Sequence, residues 1–534
     1  METVAEKADL KNGGGDCTNG GCGDGCGCGC DGCGCGCDDG CDDGGYEDSG
    51  VRAELGLCGG DIESSAVPNG CPEALPVTRA RVLAVTEESG SSESATVVVA
   101  PLWVNPAAYG CYVRTFGCTH NASDGEVLKG VLQTAGFPVL ESLEGAAVVV
   151  LNTCTVKNPS QEGALNMAHR CRRNGQFVVV AGCVPQADAN MKELATFSCI
   201  GIKQLDKVAD AVTETIKGNV YRALGQDRAL PSLDLPKIRK NRFVEIIPLS
   251  TGCLGACTYC KTRFARGSLG SYELAVILGR VEQAVKDGCQ QIWLSSEDTG
   301  AYGLDIGLDI SQLLFAIDAL LNDLAANVIC RLGMTNPPYI LDHLDDIATV
   351  LQRKHWFKFL HIPVQSGSTK VLTDMNREYT REDFERCVTA LRNRIPDITI
   401  ATDFICGFPG ETDQDHQASL DLIAQYKFPV INISQFYSRP GTAAAKMPKV
   451  NSAVVKKRST EMTHLFQTYE TYQHNVGQLK EVWFDGRSDR SDHFTGHTAE
   501  YVKVLVTTGV EMGKKYLVLI DKATKWHLEG TVVE

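Results

Sequence analysis

Thr251-Gly252-Cys253-Leu254-Gly255-Ala256-Cys257-Thr258-Tyr259-Cys260 sets three thiols at C-x3-C-x2-C spacing just after the apolar run Phe243–Leu249. Three thiolates this close hold three corners of a cubane iron–sulfur cluster. Such clusters normally take four protein thiolates, so a local set of three leaves one iron open for a substrate or cosubstrate. The same run opens a series of strand-like segments separated by helical patterns: Phe243–Leu249, Gln291–Ser295, Val328–Gly333, Phe357–Pro363, Ile398–Ile405 and Val430–Phe436. Six β/α units are fewer than the eight of a closed barrel, so residues 240–470 are expected to form a partial (β/α)6 barrel with its chemistry at the strand C-termini. Those ends carry the three cysteines, Glu297, Asp298, Asn336, Gln365, Asp403 and Arg439.

Upstream, residues 106–235 read as a parallel α/β segment. Cys111 to Gly117 is strand-like, and Ser123-x-x-Glu126 has the form of a capping box opening a helix that ends near Gly136. Ala146–Asn152 and Phe177–Gly182 are continuous apolar runs of the kind buried on both faces of a parallel sheet. Cys118, Cys154 and Cys183 each follow one of these strands, and the carboxyl edge of an open parallel sheet is where ligands gather. Inert core cysteine is the bland alternative. It does not predict the same placement three times, so a second three-thiolate site is expected. A Pro- and charge-rich linker, Leu230–Arg242, joins the two segments.

Downstream, residues 475–534 contain the short strand patterns Val502–Val506, Tyr516–Ile520 and Thr531–Val533 between Gly-containing turns, which suggests a small antiparallel β-barrel. Residues 1–105 are rich in Gly, Asp, Ser and Cys without periodicity and are expected to be disordered. They are either a thiolate tract for zinc, copper or iron, or an acidic extension dispensable for catalysis. The formal charge of -15 is concentrated there: residues 1–72 hold 15 Asp and Glu against Lys7, Lys11 and Arg52, and the other 462 residues hold 51 acidic and 48 basic groups. A near-neutral body with local basic patches is compatible with RNA, because phosphate binding responds to local charge. The start lacks the apolar core of a secretory signal, so the 24 cysteines point to metal in a reducing, cytoplasmic setting rather than to disulfides. With no apolar run of 18 or more residues, no membrane anchor is expected.

The cysteine loop with Arg266-Gly267 after it resembles the radical S-adenosylmethionine (SAM) enzymes, and the order of segments resembles their methylthiotransferase family. Within it the chain is most similar to the eukaryotic and archaeal branch acting on N6-threonylcarbamoyladenosine in tRNA. The resemblance is carried by Phe-Gly-Cys-Thr-His-Asn-Ala-Ser-Asp-Gly-Glu around Cys118, Leu-Asn-Thr-Cys-Thr-Val-Lys-Asn-Pro around Cys154 and Ala-Gly-Cys-Val-Pro-Gln around Cys183. It continues through Ser-Ser-Glu-Asp-Thr-Gly-Ala-Tyr-Gly from Ser295, Met-Thr-Asn-Pro-Pro from Met334, His-Ile-Pro-Val-Gln-Ser-Gly from His361 and Gly-Phe-Pro-Gly-Glu-Thr from Gly407. It runs from about Tyr109 to the C-terminus. The Cys/Gly-rich tail is no part of the family pattern; animal members resemble a tail-anchored form with a hydrophobic C-terminal segment, and from the polar run that includes Lys525 and His527 no such anchor is expected here.

The resemblance implies that Cys253, Cys257 and Cys260 hold a [4Fe-4S] cluster that binds SAM, and that Cys118, Cys154 and Cys183 hold an auxiliary [4Fe-4S] cluster that handles sulfur. It further implies methylthiolation at carbon 2 of the adenine next to the anticodon, with a second SAM as methyl source and an electron donor and sulfur source of unknown identity. Glu297 resembles the carboxylate near the SAM amino group. Gln365 and Asn336 are candidate cofactor or substrate contacts, and each could equally satisfy a loop backbone. The final segment, with Gly-His-Thr from Gly496, resembles the RNA-binding TRAM domain. Lys237, Arg239, Lys240 and Arg242 either grip tRNA phosphates or form a solvated face. His120 is read as a residue behind the ligands, and Cys111, Cys171, Cys199, Cys289, Cys330, Cys387 and Cys406 as small buried hydrophobes. The alternatives are the same chemistry on isopentenyladenosine or a ribosomal-protein aspartate, or a metal-handling thiolate protein.

Overall fold

The computed structural model of the chain describes residues 104–155, 158–225, 229–488 and 491–533. The acidic Cys/Gly tail of the sequence reading lies outside them. The N-terminal segment is an all-parallel sheet of β1 (Cys111–Thr115), β2 (Val139–Leu140), β3 (Val148–Thr153), β4 (Phe177–Gly182), β5 (Ser198–Ile200) and β6 (Arg222–Ala223), in the order β2-β1-β3-β4-β5-β6. Its continuous apolar runs are explained by packing on both faces. Val148, Val150, Val179 and Ala181 share one core with α1 (Thr119–Thr134), while Val149, Leu151, Val178 and Val180 share another with α2 (Asn158–Arg173).

The predicted capping box is corrected. Cys118 is the N-cap of α1 and the helix starts at Thr119, so Ser123 and Glu126 lie inside it. Ser123 Oγ donates to the Ile246 carbonyl at 3.3 Å, and Glu126 Oε1 accepts the Lys240 N–H at 2.9 Å. Both residues thus serve a tertiary contact rather than a helix end.

The linker is corrected in part, because Lys237 and Arg239 are spent inside the protein while Lys240 and Arg242 stay exposed. Glu245 on β7 (Val244–Pro248) is fully buried and takes Lys237 Nζ at 2.9 Å, Arg239 Nε at 2.5 Å and Arg280 Nη2 at 2.9 Å. Burial alone would disfavour its charge; Lys237 and Arg280 prevail and hold the carboxyl down at about 2. Lys237 and Arg239 are therefore buried or largely buried ion-pair partners rather than a surface grip for phosphate.

After β7 come a two-stranded hairpin, β8 (Ser250–Thr251) and β9 (Gly270–Ser271), and then the parallel strands β10 (Gln291–Ser295), β11 (Ile329–Arg331), β12 (Phe359–His361), β13 (Thr399–Cys406) and β14 (Val430–Gln435). They pair as β11-β10-β7 and β12-β13-β14, joined by one bridge between Cys330 and Trp356, which makes the partial six-stranded barrel. Among the described residues the seven cysteines outside the two triplets are all buried, and burial raises their thiols.

At the C-terminus, β15 (Leu479–Arg487), β16 (Phe494–Thr498), β17 (Lys503–Val506), β18 (Lys514–Ala523) and β19 (Leu528–Val532) close a five-stranded barrel. Its Trp483 and Tyr501 pack on Ile329, Phe357, Phe359 and Ala401 of the partial barrel. Arg331 lies 4.1 Å above the Trp293 ring and donates to the Tyr501 hydroxyl at 2.9 Å. The Gly-His-Thr stretch is part of this seam: His497 stacks on Tyr501 with ring centroids 4.4 Å apart. A Cβ at Gly496 would fall 2.5 Å from the Trp483 carbonyl oxygen.

Candidate active site: two cysteine triplets at one interface

Cys253, Cys257 and Cys260 are half-buried free thiols. Their loop is tied from both sides. Cys253 N–H donates to the Gly267 carbonyl at 3.2 Å, and Thr258 donates from N–H and hydroxyl to the carbonyls of Met375 and Asp374. Gly252, at φ +83°, has no room for a side chain, because a Cβ would lie 2.1 Å from the Ser268 carbonyl oxygen. A Cβ at Gly255 would sit 3.6 Å from Cys253 Sγ and 3.8 Å from Cys257 Sγ, so this glycine looks into the space between the two sulfurs. Arg377 Nη1 donates to Cys257 Sγ at 3.1 Å and the Thr262 N–H to Cys260 Sγ at 3.3 Å. Burial and the Asp298 carboxylate push the Cys253 thiol up to about 12. Free thiols whose sulfurs already receive charged or backbone donors, around a side-chain-free gap, fit a sulfur-ligated cluster.

Beside this loop, Asp298 accepts Asn336 Nδ2 at 2.6 Å, the Asn336 and Gly300 N–H groups at 3.2 Å and the Thr335 hydroxyl at 3.2 Å. Burial still pushes its carboxyl up to about 6. Arg377 Nη2 donates in turn to Asn336 Oδ1, so a continuous chain runs from Cys257 through Arg377 and Asn336 to Asp298. Gln365 adopts φ +68° at the barrel rim, its N–H given to the Asp403 carbonyl and its own carbonyl taken by Ile405. A non-glycine residue held in the left-handed region at a strand end is a mark of functional sites. The Asp403 carboxylate takes His361 Nε2 at 3.0 Å and Asn432 Nδ2 at 2.8 Å, and Arg439 offers its carbonyl to Thr442.

In the second triplet Cys154 contacts Cys118, and Cys183 lies within reach of the Cys118 charge. Cys118 caps α1, where a thiolate meets the positive end of the helix dipole. Cys154 follows β3, and Cys183 opens a short helix, α3 (Cys183–Ala187). Asparagines in the quoted motifs weld these loops together. Asn121 Nδ2 donates to the Phe116 carbonyl at 2.5 Å, Asn152 Nδ2 to the Asn121 carbonyl at 2.7 Å, and Thr153 Oγ1 accepts the Val184 N–H at 3.2 Å. Gly117 has φ +98°, and a Cβ there would lie 2.3 Å from Cys154 Sγ. The Cys154 thiol donates to Cys118; despite the cost of burial, that bond and the charge of Arg266 hold Cys118 down at about 6. Cys183 is pushed up to about 11 by burial, against the pull of Arg266. The donor chemistry is that of a thiolate cluster site. Among the described residues no three Cys, His, Asp or Glu side chains converge tightly enough for a single metal ion.

Glu297 lies between the two segments: Oε1 is 3.0 Å from His120 Nδ1 and 3.0 Å from Arg266 Nε. Arg266 also pairs with Asp124 at 2.6 Å. Arg266 sits on α5 (Thr262–Arg266), immediately after the Cys253–Cys260 loop, and α5 packs on α3 through Ala265 and Cys183. In the sequence Arg266 stood out only as half of the Arg266-Gly267 pair after the cysteine loop, with no role attached. Arg377 gave no hint, lying 120 residues from the thiol it serves.

Residues 247–423 match the Radical SAM superfamily, and residues 110–199 match the uncharacterized protein family UPF0004. The threonylcarbamoyladenosine tRNA methylthiotransferase of Xenopus laevis is 46% identical over 436 residues, covering 80% of this chain and 78% of that one. The human protein of the same name is 45% identical over 435 residues, with 80% and 75% covered. The probable archaeal counterpart from Pyrococcus abyssi is 35% identical over 427 residues, 79% of this chain and 99% of its own length. Two cysteine triplets at strand ends, and relatives that match across both of them, place this chain in the radical SAM family of threonylcarbamoyladenosine tRNA methylthiotransferases.

Proposed function

We propose that the chain methylthiolates N6-threonylcarbamoyladenosine in tRNA, at carbon 2 of the adenine next to the anticodon. The cofactors are SAM and two [4Fe-4S] clusters, one held by Cys253, Cys257 and Cys260 and the other by Cys118, Cys154 and Cys183. The observation that carries the reading is that the short helix after the first cysteine loop packs on Cys183 of the second set and sends Arg266 to Asp124 on the helix that Cys118 caps. When bound, the first cluster and SAM supply a radical able to take hydrogen from an unactivated carbon, and the second supplies sulfur.

The residues of the chain do the holding. Arg377 orients Cys257 and, through Asn336, Asp298. Of the two adjacent carboxylates, Asp298 adjoins Cys253 and is the better placed to accept hydrogen bonds from the SAM amino group, whereas Glu297 is committed to Arg266 and His120. Gln365 supports the reading of a cofactor contact by its strained backbone at the rim. The described cysteines are all free thiols, which suits the cytoplasm, and no helix among the described residues is long and apolar enough to cross a membrane. An electron donor and a sulfur source complete the reaction.

Mass spectrometry of tRNA nucleosides from a deletion strain tests the substrate. The methylthio derivative of threonylcarbamoyladenosine should disappear; its persistence at unchanged level refutes the assignment, and loss of a methylthio isopentenyl derivative instead would select the sister substrate. A chain lacking residues 1–100 should still take up about eight irons on anaerobic reconstitution. Recovery of zinc alone would favour metal handling.

A further inference from the structure

We propose that Arg266 is a positioning residue for the second thiolate triplet: carried on the helix behind the first cysteine loop, its guanidinium crosses the interface to Asp124 on the helix that Cys118 caps, next to Ala265, which packs on Cys183. The charge at the sulfur site is therefore completed by the catalytic segment. This rests on the reading that the second triplet holds an iron–sulfur cluster.

The geometry leaves Arg266 little other role. It is 3% exposed, so it meets no solvent-borne ligand directly. Its fork is aimed in separate directions, Nε to Glu297 at 3.0 Å and Nη2 to Asp124 at 2.6 Å, with Asn121 Oδ1 at 3.5 Å as a further acceptor. A lysine is a point charge and cannot reach this set, so charge and shape are separable by substitution. Two buried carboxylates and the thiolates make the surroundings strongly anionic, and Arg266 is the cation between them. Hydrogen bonds to cluster sulfurs and nearby positive charge favour the more negative, reduced state and raise the reduction potential.

The placement also links the two triplets. One residue beyond Arg266, the Gly267 carbonyl accepts the Cys253 N–H, while one residue before it Ala265 packs on Cys183. A single turn of chain thus touches both thiolate sets. A displacement of either is transmitted to the other through groups that do not touch substrate.

The test uses the full chain with Cys253, Cys257 and Cys260 all changed to Ala, so that only the second triplet holds iron, reconstituted anaerobically and titrated by EPR and absorbance against potential. Arg266→Gln should lower the midpoint potential, Arg266→Lys should lower it less, and Asp124→Asn should raise it, each with about four irons per chain retained. Iron retained with a midpoint that Arg266→Gln does not move overturns the proposal. If Gln at this position costs the cluster, the Lys and Asn variants carry the same sign test, and an unmoved midpoint in both overturns it. A triple-Ala background that takes up no iron overturns the second-cluster reading, and the proposal with it.

Discussion

Replacing Gly117 by Ala should empty the second thiolate set while sparing the first. The residue has φ +98°, and an added Cβ would come within 2.3 Å of Cys154 Sγ. The backbone strain costs roughly 1–2 kcal/mol, and relief of the overlap roughly 1–3 kcal/mol more. Ordinary contact begins near 3.4 Å, so the sulfur must retreat by on the order of 1 Å. Metal–ligand distances tolerate only about 0.2 Å, so the displacement exceeds the tolerance several-fold. The expected result on anaerobic reconstitution is a fall from about eight to about four irons per chain, with SAM cleavage retained and methylthiolation lost. Gly175→Ala is the control: its φ is +81° with nothing within 4 Å of the added Cβ, so it carries the strain without the overlap. Full iron content and normal methylthiolation in the Gly117 variant would refute the reasoning.

Cys257→Ala should abolish SAM cleavage, whereas Cys154→Ala should leave some cleavage and prevent methylthiolation; loss of both activities in both variants, with one cluster intact, would undo the division of labour. Glu126 is raised from 4.5 to about 7, chiefly by burial. The stability it contributes is full below pH 4.5 and lost as pH rises through 7, so Glu126→Gln should flatten that slope and stabilise the protein above pH 7 by on the order of 3 kcal/mol. Equal slopes in urea denaturation of the two proteins between pH 5 and 8 would count against it. Glu245→Gln leaves Lys237, Arg239 and Arg280 around a neutral amide and should cost about 3–5 kcal/mol in urea denaturation; a loss below about 1 kcal/mol would show the ion cluster to be dispensable.

What was legible in the sequence follows from which forces are local. Strand β10 runs from Gln291 to Ser295 as its apolar pattern predicts, and β3 and β4 were visible because packing on two faces demands an unbroken apolar run. The three-residue β5, the two-residue edge strand β6 and the partly exposed β15 carry no such run and left no pattern. The start of α1 was misplaced because Ser123 and Glu126 imitate a local cap while answering to Ile246 and Lys240, more than a hundred residues away. The cysteines were legible since spacing and strand ends suffice to group them. The charges around them were not: Arg377 reaches Cys257 and Arg266 reaches Asp124 only through the fold, and Glu297 and Asp298, neighbours in sequence, face different partners.

The aromatic seam beneath the barrel bears on modularity. Trp483 and Tyr501 cover Phe357 and Phe359 at the ends of strands opposite the cysteines, and the Ala499 carbonyl takes the Lys358 N–H at 2.7 Å. Cutting the chain before residue 475 would lay that apolar patch open and strip Arg331 of its tyrosine hydroxyl. The C-terminal barrel is thus the floor of the catalytic segment as well as an appendage to it.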